Sequence, residues 1–258
     1  MKFPKKNMEF DYRKVVSVCF ALILLMVGYE AIQYKIQDRF NRFEIKIDRN
    51  GTDRALLDKK GVMKVMREFL GFDPAVSNIE EVDFRGLEEK LESNPYVDEA
   101  TIYLDARNNL HVLITQRKPI ARFKTSGKEF YMTDDGNQIP LSSSATMRVP
   151  IVTGNIDHLL MQTNESKMLY RDLVSMLTYC DQDEFLSALI EQIDIDYKGE
   201  LVCIPKVGKE QILFGNLSDY QEKLEKLKKY YEWGKSEDGW NKYAYLNLAY
   251  KDQIALGK

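Results

Sequence analysis

Residues 91–123 read LESNPYVDEATIYLDARNNLHVLITQRKPIARF. Asn94-Pro95 stops whatever helix precedes it, because proline lacks the N–H and disfavours a helical residue before it. Two strands follow, Ala100–Leu104 and Leu110–Gln116, joined by Asp105-Ala106-Arg107-Asn108-Asn109. In the second strand Leu110, Val112 and Ile114 share one face, and His111, Leu113 and Thr115 share the other. Upstream, Asp83 is placed to cap a helix running to Glu92, with Leu87 and Leu91 inward. Asp58 caps another over Lys59–Leu70, with Val62, Val65, Met66 and Phe69 on one face and Gly71 at its end. Glu44–Asp48 alternates as a strand, and Arg49-Asn50-Gly51-Thr52 reads as a turn. The order strand, helix, helix, strand, strand predicts an α+β unit with both helices on one sheet face.

Downstream the texture changes. Ile120–Lys124, Glu129–Thr133 and Gln138–Leu141 read as short strands, with Asp135-Gly136-Asn137 turning between the last two. Pro150–Gly154 reads as a strand end. Helices are expected over 165–180 and 183–191, with Leu169, Leu173, Met176 and Leu177 as the core stripe of the first. Strands are expected at Gln192–Tyr197, Glu200–Ile204 and Gln211–Phe214. Ser218 and Gln221 have capping-box spacing, ahead of a helix to Trp233 with Tyr220, Leu224, Leu227 and Tyr231 on one face. A final strand is expected from Lys242 to Tyr250, extending to Ile254. His158 is expected in a loop.

The N-terminus sets the expected topology. Val15–Tyr29, VVSVCFALILLMVGY, carries no charge, and Lys2, Lys5, Lys6, Arg13 and Lys14 precede it. A spanning helix needs about 20 apolar residues. A cleaved signal peptide and a buried helix are the competing readings, but Met26-Val27-Gly28-Tyr29-Glu30 is a poor cleavage site. Positive charge stays in the cytoplasm, so residues 1–14 are expected as a cytoplasmic tail and 15–33 as a single-pass anchor. Residues 34–117, opening with a juxtamembrane helix, form the first exported domain, and 118–258 the second, a mixed α/β domain. In an oxidising exterior Cys180 and Cys203 either pair or serve as two small buried hydrophobes.

Chemistry is sparse. Lys and Arg total 37 against 40 Asp and Glu, so the basic excess that phosphate binding requires is missing. Three cysteines and two histidines, His111 and His158, supply no metal-ligand spacing. No nucleophile elbow, P-loop or glycine fingerprint occurs. The lysines of the 217–233 helix (Lys223, Lys226, Lys228, Lys229) alternate with Glu222 and Glu225 and read as a solvated face. No catalytic, cofactor or metal residue is assigned, and no nucleic acid or small-molecule substrate is expected. An anchored pair of small domains without a reactive cluster points to contacts with other proteins. A cell-wall hydrolase or transferase, the enzymatic alternative, lacks a visible cluster.

The chain resembles the bacterial division proteins of the FtsQ/DivIB family along most of its length. The resemblance rests on Leu91–Ala100, on Ile114–Phe123 with its Gln116-Arg117-Lys118-Pro119-Ile120-Ala121 boundary, on the hairpin Tyr131–Gly136, and on Val149–Gly154, Ile212–Gly215 and Tyr245–Tyr250. Asn247 stands where the family usually has Asp, and Ala249 where it usually has Arg. The resemblance implies a POTRA domain followed by the family's β-domain, with an exposed C-terminal edge strand. It implies a non-enzymatic divisome scaffold in the inner membrane at the septum, binding FtsB- and FtsL-like partners by adding a strand to that edge. The partner site it implies is Tyr250, Lys251, Asp252, Gln253 and Ile254, with Leu248 and Tyr245. The alternative function is a POTRA-containing accessory of outer-membrane assembly or secretion; the charged helices after residue 117 leave no room for its β-barrel.

Overall fold

The computed structural model describes residues 12–36, 39–74, 77–160, 163–234 and 242–258. The first helix, α1 (Tyr12–Ile36), carries an exposed apolar stretch from Val16 to Val27. Among the described residues no helix is long and apolar enough to cross a membrane. Most of the expected cytoplasmic tail, residues 1–11, and residues 37 and 38 of the expected juxtamembrane helix lie outside the described residues.

The first folded unit follows the expected order: β1 (Arg42–Asp48), α2 (Lys59–Leu70), α3 (Phe84–Glu92), β2 (Val97–Leu104) and β3 (Asn109–Gln116). The sheet order is β1-β3-β2, with β1 parallel and β2 antiparallel to β3. Asp58 caps α2 by accepting the Gly61 N–H at 2.7 Å, and Asp83 caps α3 by accepting that of Gly86 at 3.0 Å. Gly71 closes α2 at φ +77°, donating to the Arg67 carbonyl. Val62, Met66, Leu87 and Leu91 bury against Leu110, Val112 and Ile114. Phe69 departs from the expected stripe: it is 39% exposed, and its ring lies over Gly86, where any Cβ would collide with it.

The second unit is built on β4 (Pro119–Lys124), β5 (Glu129–Thr133), β6 (Gln138–Pro140), β7 (Ile151–Gly154), β8 (Ile190–Ile195), β9 (Leu201–Pro205), β10 (Gln211–Gly215), β11 (Tyr245–Asn247) and β12 (Ala255–Gly257). Among the described residues they form one sheet in the order β12-β11-β10-β9-β8-β7-β4-β5-β6. The register aligns one residue from every strand: Leu256, Leu246, Ile212, Cys203, Ile193, Val152, Phe123, Phe130 and Pro140. All but the two ends are buried. The helices are α4 (Ile156–Leu159), α5 (Asn164–Gln182), α6 (Glu184–Leu189) and α7 (Tyr220–Lys229). Leu173, Met176 and Leu177 of α5 and Leu224 and Leu227 of α7 complete the core. Cys180 and Cys203 are free thiols in that core; burial pushes Cys180 up to about 12 and raises Cys203 as well, which makes both unreactive.

Several local expectations need correction. Ser218 does not cap α7. The helix begins at Tyr220, so Asp219 holds the cap position, at φ +52° and without a side-chain bond, while the Ser218 N–H donates to Asn216 Oδ1. The α-helix ends at Lys229 and continues as a π-helical turn, Tyr230–Gly234. His158 lies on α4 rather than in a loop.

The two units meet in a joint. Leu56, Tyr131, Ile139 and Met147 form a small separate core, with Tyr96, Leu141 and Val149 packed on it. Gln116, 1% exposed, accepts the Leu56 N–H at 2.5 Å and donates to Thr52 Oγ1 and the Arg54 carbonyl. Arg117 spans from Asp98 to Asp135 at 3.2 and 3.4 Å. Tyr96 donates to the Leu141 carbonyl, and Ser142 to that of Leu56.

Candidate functional site

The C-terminal edge of the larger sheet is assembled from β10, α7 and the last fourteen residues. β11 lies parallel to β10, and the Leu248 N–H donates to the Leu213 carbonyl at 2.9 Å. Asn247 then turns its Oδ1 onto the Ala249 N–H, and the strand ends. This side-chain bond is the local competitor that turn-forming Asn offers a strand. Tyr250–Gln253 is a turn with Asp252 at φ +60°, a conformation Asp tolerates better than most residues. Lys226 of α7 holds it by donating to the Tyr250 carbonyl at 2.6 Å, with the Leu248 carbonyl at 3.4 Å. The chain returns as β12, antiparallel to β11, and the Ala244 N–H donates to the Gly257 carbonyl.

The expected edge strand over 242–254 is therefore two short strands and a turn, and β11 has a neighbour on each side. Tyr245 begins this internal strand, its ring lying across Gly257, where a Cβ would overlap it. Leu248 is buried and unavailable to a partner. Tyr250, 51% exposed, and the exposed Lys251, Asp252 and Gln253 sit in the turn, and Ile254 packs on the core. Ala255, Leu256 and Gly257, which the expected site leaves out, form the last strand at this edge. Among the described residues no strand pairs with the outer flank of β12. Leu256, 39% exposed, continues the apolar row of the sheet on this edge. The polar turn 250–253 ahead of Ile254-Ala255-Leu256 is the signal that a second short strand follows.

The lysine face of α7 is also not the solvated surface expected. Lys223 is 8% exposed and donates to the Asn216 carbonyl and Oδ1 at 2.7 and 3.0 Å; burial lowers its pKa. Lys228 pairs with Asp183 at 2.5 Å, and Lys226 holds the turn. Helical lysines here fasten the edge to the body of the domain.

The two histidines lie apart from this edge. His111 lies 3.4 Å from a carboxylate oxygen of both Glu44 and Asp105 and stacks on Tyr103. Asp105 is held well below the usual carboxylate range by hydrogen bonds from the backbone and side chain of Asn109, which organise the β2–β3 turn. His158 lines a cleft of about 530 Å3 with Asn155, Glu165 and Tyr197. Among the described residues no group of three or more His, Cys, Asp or Glu is placed to hold a metal.

The profile of the family described as FtsQ/DivIB, C-terminal related, matches residues 118–255, and that of the POTRA-like domain matches residues 40–115. Comparison with curated proteins returns no match. The two matched ranges coincide with the two folded units, and the first covers more than half of the chain: the protein belongs to the FtsQ/DivIB family, with a POTRA-like domain ahead of the C-terminal related domain.

Proposed function

We propose that the chain is a non-enzymatic, membrane-anchored divisome scaffold that takes an extended segment of an FtsB- or FtsL-like partner onto the outer flank of β12. Family membership supports the division role, and the observation that carries the site is the open flank of β12. At the other end of the same sheet, β6 is three residues long, carries Pro140 and leads into the joint. The mapped site thus moves from the turn 250–254 to Ala255–Gly257, with Tyr250 and the turn as its rim. A three-residue strand offers few main-chain bonds, so a partner fixed in the same bilayer compensates through effective concentration.

Consecutive strand residues direct their N–H groups to opposite flanks, so Ala255→Pro and Leu256→Pro remove one donor each, one of them from the open flank. Binding of the partner's exported segment falls at least about tenfold for that variant, measured by calorimetry, with an unchanged melting curve. Full affinity in both variants excludes strand addition at β12.

The anchor is supported by the charge-free Val15–Tyr29 and its basic flank, and it places 34–258 outside the cytoplasmic membrane at the septum. Alkaline washing of membranes leaves an anchored chain in the pellet. Release into the wash rejects the anchor.

A further inference from the structure

Strand β2 is eight residues long and lies at the edge of its sheet. A long open edge is a template for another strand. Its pairing pattern shows which groups face outward. Asp105, next along the chain, donates its N–H to the Asn109 carbonyl, and the antiparallel register then points the alternate residues Ala100, Ile102 and Leu104 away from β3. Two of these donors are occupied. Ile102 N–H donates to Glu88 Oε1 at 2.6 Å, and Ala100 N–H donates to Glu92 Oε1 at 3.3 Å. The two glutamates are four residues apart on α3, about 6 Å along the helix. The two amides are two residues apart on the strand, about 6.7 Å. The spacings match, so one helix face supplies carboxylate oxygens where a neighbouring strand would supply carbonyls. Two further sheet edges are protected by different means: β1 alternates the exposed charges Arg42, Glu44, Lys46 and Asp48, and β6 carries Pro140.

We propose that Glu88 and Glu92 close the edge of β2 against strand addition, leaving β12 as the flank open to a partner. Opening the lock exposes β2 to the β2 strand of a second copy, which meets it in antiparallel register. The inference does not depend on what binds β12.

The full-length chain in detergent is compared with Glu88→Ala/Glu92→Ala and Glu88→Gln/Glu92→Gln. Gln keeps an acceptor oxygen and loses the charge, so it separates edge closure from charge repulsion. The Ala pair is expected to raise amide exchange at Ala100 and Ile102 about tenfold and to produce concentration-dependent self-association by sedimentation. The Gln pair is expected to sediment as the parent does. An Ala pair that sediments like the parent overturns the proposal, and so does a Gln pair that associates as strongly as the Ala pair. Should the Ala pair lose its cooperative melt, Glu88→Ala alone opens the shorter of the two bonds and is read by the same criteria.

Discussion

Gly154 ends β7 at φ +90°, and a Cβ there would overlap the backbone of Ile195 on β8. The close approach lets the next N–H, that of Asn155, donate to the Ile195 carbonyl at 2.7 Å. Gly154→Ala therefore combines a disfavoured backbone conformation with a main-chain clash. We expect a loss of about 2–4 kcal/mol in chemical denaturation; a loss below about 1 kcal/mol would show that β7 and β8 part without cost. The residue was legible as a strand-ending glycine, but its reason was not, since the contact is with a strand 41 positions away. Local devices were read well for the same reason. Asp58, Asp83 and Gly71 act within their own turns, so their chemistry is complete within a few residues. Phe69 is decided by a distant partner, since Gly86 makes room for its ring, and Ser218 by a helix that begins one residue later than the capping spacing suggests.

Lys226 decides the shape of a whole element. It crosses from α7 to the carbonyls of Leu248 and Tyr250 and so fixes where β11 stops and β12 begins. Lys226→Met keeps most of the stem and removes the donors. We expect amides in 250–257 to exchange about tenfold faster while those of β8 and β9 keep their protection. Uniform protection across the domain would mean that the turn holds itself. Strands with buried alternation, such as β3 and β9, were placed within a residue or two because one face must be apolar. The C-terminal strand was overextended because its turn contains neither Gly nor Pro. Asp252 reaches φ +60° only with the surrounding structure to hold it. The four-residue α4 is too short to show a period.

At the scale of the molecule, strand order and the joint were beyond the reach of sequence pattern. β7 enters the sheet parallel between β4 and β8, the second of them 36 positions further along the chain. The joint depends on Gln116, which a sequence shows only as the polar end of β3. Its side chain is buried and satisfies three groups of the 52–56 segment, whose Leu56 packs on Tyr131, Ile139 and Met147 of the second unit. Gln116→Leu preserves volume but strands the Leu56 N–H, a buried donor, at a cost of about 1–3 kcal/mol. That cost falls on the contact between units, whose small core shares Tyr96 with the core of the first unit and no residue with the main core of the second. The expected result is a single thermal transition that splits in two, together with faster proteolysis in 49–58. A single transition at the parental temperature would mean that Arg117 and the small core of Leu56, Tyr131, Ile139 and Met147 hold the units without the amide. If the joint does open, the POTRA-like domain and the β12 edge lose their fixed relation.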